Sequence, residues 1–179
     1  MGARQALAAE GLASAVDRLA QQMMRDHPPG RPLNVIGILT RGETVAARLR
    51  QALARDGLDV RRGVLDITLY RDDLTEIGPR PLVRPTELMH DVDGVPMLLV
   101  DDVIHTGRSV RAALEAITDF GRPAAVRLAV LVDRGGRELP IQPDYVGVRL
   151  EVPPEEEVSV RLTEVDGRDA VEIESRPAR

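Results

Sequence analysis

The stretch Val100-Asp101-Asp102-Val103-Ile104-His105-Thr106-Gly107-Arg108-Ser109 holds the densest chemistry in the chain. Four apolar residues, Met97 to Val100, run into two adjacent acids, then Thr-Gly, then the start of a helical pattern. Thr106, Gly107, Arg108 and Ser109 stand where free backbone N–H groups can hold a phosphate. Asp101 and Asp102 stand where carboxylates can accept hydrogen bonds from sugar hydroxyls or hold Mg²⁺ through water. Phosphate at one end and a polyhydroxylated ring at the other outline a sugar-phosphate site. Adjacent acids cannot both face one way on a regular strand, so the spacing predicts that this pair lies in a loop. His105 could act as a base, but its place beside the phosphate loop favours a packing or rim role.

Those residues need a scaffold, and the hydrophobic pattern supplies one. Leu12, Val16, Leu19, Ala20 and Met23 recur at helical spacing, with Asp17, Arg18, Gln21, Gln22 and Arg25 on the polar face. Leu33 to Leu39 reads as a buried strand, followed by Thr40-Arg41-Gly42 and a helix over Glu43 to Arg55. Thr-Arg-Gly suits a phosphate and suits a plain strand-to-helix turn equally well. Val64 to Tyr70 alternates and predicts a strand. Arg71 to Asp93 has no period and is long enough to be a lid or to fold in part as a β-arm. Met97 to Val100 is the central strand, and the helix after it runs from Ser109 to Phe120. Ala125 to Val132 is a further buried strand ending in Asp133-Arg134-Gly135-Gly136-Arg137-Glu138-Leu139-Pro140. Tyr145 to Val152 follows as a strand, Pro153 to Glu157 as a solvated turn, and two segments around Asp166-Gly167 as a terminal hairpin. The alternation of β and α predicts a mainly parallel sheet with helices on both faces. The loops after Leu39, Val100 and Val132 then gather along one edge.

Composition bounds the chemistry. The chain has 179 residues and a net charge of −5, with a hydrophobic share of 43% and an aromatic share of 2%, so aliphatic residues must build the core. This length fits one domain over residues 1–179. Cysteine is absent, which removes disulfides and thiolate catalysis. Lysine is absent too, and with it a Walker A loop and Schiff-base chemistry. Every basic side chain other than histidine is arginine, a planar fork matched to phosphate oxygens. The N-terminal residues lack a signal pattern and no apolar run reaches membrane-spanning length, so the expectation is a cytoplasmic protein with no membrane partner.

LLVDDVIHTGRSV resembles the phosphoribosyl-diphosphate signature of type I phosphoribosyltransferases. ILTRG, LDITLYRDDL, VDDVIHTGRSVRAALEAITDFGRP and LAVLVDRGGRELPIQPDYVG together resemble the PyrR family over most of residues 33 to 148. The resemblance implies a type I phosphoribosyltransferase fold with a flexible catalytic loop. It implies two functions: uracil phosphoribosyltransferase, converting uracil and phosphoribosyl diphosphate to UMP and diphosphate, and a UMP-dependent attenuator binding pyrimidine-operon leader RNA. Thr40 and Arg41 would meet the pyrophosphate, and Arg71 to Leu74 would begin the catalytic loop. Asp101 and Asp102 would bind ribose, Val103, Ile104, His105, Thr106, Gly107, Arg108 and Ser109 the 5′-phosphate. Arg134 and Arg137 would belong to the loop framing the uracil. Mg²⁺ is expected through diphosphate and water, with no direct protein ligands, and a homodimer or larger homo-oligomer is expected by the same analogy.

The chain departs from that family's usual pattern in several places. His105 stands where the family has Tyr, Gly136 where it has His, and Val148 where it has Lys. Asp17 and Gln21 replace Thr and His on the first helix. An acid repels nucleic-acid phosphate and a lost Lys removes a counterion-release contact. Arg18, Arg25 and Arg31 are the first candidates for an RNA face, with Arg4, Arg122 and Arg149 beyond them. The alternatives are a phosphoribosyltransferase that has lost RNA binding and one that uses a different nucleobase, a purine included.

Overall fold

A computed structural model describes residues 3–27, 30–70, 85–88 and 91–175. The chain begins with strand β1 (Arg4–Leu7) and helix α1 (Ala9–Asp26), then β2 (Leu33–Ile38) and α2 (Arg41–Arg55). It continues through β3 (Val60–Leu65), a 3₁₀ turn at Thr68–Tyr70 and the two-residue β4 (Glu87–Leu88). Then come β5 (Pro96–Ile104), α3 (Arg108–Thr118), β6 (Ala125–Asp133) and β7 (Tyr145–Arg149). Last are β8 (Glu156–Arg161), a helical turn α4 (Thr163–Asp166) and β9 (Ala170–Ser175).

Six strands form the main sheet in the order β4-β3-β2-β5-β6-β7. Every pairing is parallel except β3 with β4. Parallel strands need crossover helices, which cover both faces. On one face α1 and α2 bury Leu12, Leu19, Leu49 and Leu53 against Val35, Leu98 and Leu131. On the other α3 buries Val110, Ala113 and Ile117 against Ile36, Leu99 and Val130. Odd and even strand positions thus feed separate cores, as a period of two requires. A second sheet, ordered β1-β9-β8, joins the α1/α2 core through Val160, Leu162 and Val171.

Several sequence expectations change. The strand expected over Val64 to Tyr70 starts at Val60 and ends at Leu65, and Thr68–Tyr70 is the 3₁₀ turn. Its polar first half went unread because Arg62 faces Glu43 and Glu87 and forms ion pairs with them at 3.1 and 2.9 Å, which gives no apolar alternation. Helices α2 and α3 begin at Arg41 and Arg108, two and one residues earlier than the periodicity gave. The terminal hairpin is present as β8 and β9, and β1 adds a third strand to it. Glu156 and Glu157, expected in a solvated turn, open β8. Residues 71–84, which include Arg71 and most of the expected lid, lie outside the described residues.

Candidate active site

Strands β2, β5 and β6 are neighbours in the sheet, so the loops at their carboxyl ends sit side by side. This is the edge at which open α/β sheets bind ligands. The first loop is Leu39-Thr40, whose peptide is cis, leading directly into α2. Gly42 in the first turn of α2 is in tight contact with β5. A Cβ there would stand 2.7 Å from the Val100 carbonyl oxygen and 3.0 Å from Asp101 Cα. Only glycine lets the first loop approach the acids this closely.

Asp101 and Asp102 lie on β5 itself, not in the loop after it. The expectation of a loop failed because the alternation of faces breaks here. Val100 and Val103 both pack on the α1/α2 core although they stand three positions apart. Asp101 is buried, and its Oδ1 accepts the N–H of Asp102 at 2.9 Å. Burial, followed by the neighbouring Asp102 charge, pushes the Asp101 carboxyl well above the usual range. Burial also raises Asp102, opposed by a hydrogen bond from Asp101 and by the charge of Arg41. A buried acid with a half-buried one beside it favours holding a single negative charge between the two.

The phosphate loop lies between β5 and α3. Gly107 caps α3 with φ of 92°, a left-handed conformation that favours glycine. The Thr106 hydroxyl accepts the Arg108 N–H at 3.3 Å. The Thr106 carbonyl accepts the N–H groups of Glu138 and Leu139 at 3.0 and 3.1 Å, and Arg108 Nε meets Glu138 Oε2 at 2.8 Å. The second and third loops are therefore stitched together. Behind the cap, the first turn of an 11-residue helix offers N–H groups that have no intrahelical partner.

The third loop is braced from within. Arg137 donates to Asp133 Oδ1 at 2.8 Å, to the His105 carbonyl at 3.0 Å and to the Ile141 carbonyl at 3.1 Å. Buried Arg134 donates to the carbonyls of Glu156 and Pro153. Both guanidinium groups thus hold the loop's shape, with Asp133 as the carboxylate at its centre. His105 packs over Gly136, where a Cβ would lie 2.8 Å from Nε2, so these two departures from the family pattern touch each other.

Of the residues assigned to RNA, Arg18 donates its Nε to the Gly147 carbonyl at 2.9 Å, and Gln22 bonds Val146 alongside it. These two close the edge of β7 and are not simply solvated. Arg25 and Arg31 are exposed. A groove of about 730 Å³ separates α1 from α2 and is lined by Asp17, Arg48, Gln51 and Arg55, apart from the three loops. The sequence reading missed Asp166, whose carboxylate meets Arg41 Nη2 at 2.7 Å across 125 residues of chain. No local motif could have announced a pair so distant.

Parallel strands, a double acid at the end of the central one and a glycine-capped helix beside it define a phosphoribosyl transferase. The family model of the phosphoribosyl transferase domain matches residues 3–166. The hypoxanthine phosphoribosyltransferase of Trypanosoma cruzi superposes with a TM-score of 0.72, covering 97% of both chains at 20% identity, which is a likeness of fold. Much nearer in sequence are proteins named bifunctional protein PyrR. The one from Deinococcus radiodurans is 47% identical over 93% of this chain and 92% of its own. The one from Thermus thermophilus is 50% identical over 90% of each. The chain belongs to the PyrR family of phosphoribosyl transferases.

Proposed function

We propose that the protein transfers the phosphoribosyl group of phosphoribosyl diphosphate to uracil, giving UMP and diphosphate, and that with UMP bound it regulates pyrimidine genes by binding leader RNA. The observation that carries the enzymatic half is the convergence of three loops on the Asp101–Asp102 pair. In this reading the ribose hydroxyls bond the acid pair, and the 5′-phosphate lies on the N–H groups from Thr106 to Ser109. Thr40 and Arg41 take the diphosphate, and the loop from Asp133 to Leu139 frames the base. The bond from C1 to the diphosphate oxygen breaks, the bond from C1 to the uracil nitrogen forms, and the proton of that nitrogen passes to the departing diphosphate. Positive charge grows at C1 as the leaving group departs, so the acid pair, buried at Asp101 and half-buried at Asp102, and arginine on the diphosphate would act where charge develops. Arg71 and the residues after it would close over the site and exclude water.

Mg²⁺ fits this donor set. Among the described residues no group of three or more His, Cys, Asp or Glu could hold a metal alone. Mg²⁺ is commonly held by one or two carboxylates together with substrate phosphates. Asp102 would help hold it through water beside the diphosphate, and when bound it would supply positive charge to the leaving group.

A continuous assay of UMP formation tests the reading. Asp102→Ala is expected to lower kcat/KM by about 10²-fold or more, the scale of removing a group that stabilises developing charge. Equal rates would remove the role given to the acid.

For RNA, exposed Arg25 and Arg31 support a phosphate-contacting face, and scarce aromatics leave little for base stacking. Gel shifts with leader RNA should tighten with UMP and weaken as salt rises. Binding indifferent to both would count against regulation. Nucleotide synthesis and messenger RNA share the cytoplasm, which this reading makes the site of action. A homodimer or larger assembly is part of the same proposal.

A further inference from the structure

Arg41 opens α2, and Arg48 follows seven residues later on the same face of the helix. Both reach out to the turn α4, which joins β8 to β9. Arg41 donates from Nη2 to Asp166 Oδ1 at 2.7 Å and from Nε to Asp166 Oδ2 at 3.3 Å. Arg48 forks onto Glu164 at 2.6 and 2.9 Å and onto Asp169 at 2.7 and 2.8 Å. The Asp166 carboxylate is fixed by its own backbone before it meets Arg41. Its Oδ2 accepts the Leu162 N–H at 3.0 Å, its N–H donates to the Leu162 carbonyl at 2.6 Å, and its side chain is 14% exposed. Arg161 Nη1 approaches from 3.8 Å.

Arg41 is the neighbour of Gly42, whose backbone touches β5 at Val100 and Asp101, so its pair with Asp166 brings the α4 turn to the start of α2 beside the end of the central strand. Among the described residues the pair with Asp166 uses the Nε–Nη2 edge and leaves the Nη1 amine for a substrate oxygen. An arginine already held loses less side-chain freedom when it meets an anion than one that swings freely. We propose that Asp166 is a positioning residue of the transfer reaction: the α4 turn, clamped on α2 through Arg48, holds Arg41 aimed at the diphosphate. The inference rests on the reading of Arg41 as a diphosphate contact. It gives the β8–β9 hairpin a part in substrate binding although it contributes no residue to the three loops.

The test is a double-mutant cycle on the full-length enzyme, reading KM for phosphoribosyl diphosphate and for uracil separately. Asp166→Asn is expected to raise KM for phosphoribosyl diphosphate about tenfold, with KM for uracil unchanged. Arg41→Ala is expected to raise the same constant at least as far, and the double variant no further than Arg41→Ala alone. An unchanged constant in Asp166→Asn beside a raised one in Arg41→Ala overturns the positioning role and leaves the reading of Arg41 standing. Additive effects in the double variant overturn it too, as does a uniform rise for both substrates. An unchanged constant in Arg41→Ala removes the reading and the inference together. Should Asp166→Asn fail to fold, Arg48→Gln loosens the clamp without touching either partner. A selective rise for phosphoribosyl diphosphate then supports the inference, and no change overturns it.

Discussion

Asp101 carries a cost that the fold tolerates. A carboxylate held dry beside a second acid disfavours its charged form, so the folded protein binds more protons than the unfolded chain above the ordinary Asp range. The sign follows: stability falls as pH rises from that range through the elevated value, and stays at its lower level above it. Asp101→Asn removes the charge and relieves its neighbour. Its melting temperature is expected to exceed that of wild type at pH 8 and to converge with it near pH 4, measured by calorimetry across pH. A variant less stable than wild type at pH 8 would mean the acid is a net stabiliser. In the sequence this pair was legible as chemistry and misread as geometry. Acids suggest a loop, and only the break in alternation lets a strand carry them. Arg134 and Arg137 were placed in the correct loop, but their hydrogen bonds brace that loop, which residue type alone does not reveal.

Among the elements, the strands feeding the three loops were readable because each is a short apolar run followed by a polar turn, and buried parallel strands look like that. Strand β1 was not, since Arg-Gln-Ala-Leu has too few residues to show a period and depends on β9 for its partner. The α4 turn was legible as the bend of a hairpin at Asp166-Gly167 but not as a helical turn, being four residues held by ion pairs with α2. Those pairs predict a pH response opposite to that of Asp101. Hydrogen bonds from Arg48 lower the Asp169 carboxyl to about 2. Its contribution is therefore present above the ordinary Asp value near 3.8 and lost as pH falls toward 2. Arg48→Ala is expected to destabilise the protein by about 1–2 kcal/mol at pH 7, since it strips a partly buried network of its shared cation. The difference from wild type should shrink in acid, as followed by denaturant unfolding. A difference that persists at pH 2 would assign the effect to packing of the arginine stem instead.

At the scale of the molecule, two sheets divide the work. The six-stranded sheet carries the three loops, and the connection between β8 and β9 of the three-stranded sheet pairs with Arg41 and Arg48 of α2 through Asp166, Glu164 and Asp169. Matching the two was beyond the sequence, because β1 and β9 lie at opposite ends of the chain and the link from Arg41 to Asp166 spans 125 of its 179 residues. In the function proposed above, the three loops form one site for phosphoribosyl diphosphate with uracil as acceptor. The most direct measurement offers the enzyme uracil, hypoxanthine, guanine and adenine together, with phosphoribosyl diphosphate and Mg²⁺, and separates the nucleotides formed. A site that hydrogen-bonds the edges of its base rejects mismatched ones steeply, so UMP should exceed every purine nucleotide by about 10²-fold or more. A purine nucleotide as the main product, or no nucleotide at all, would contradict it.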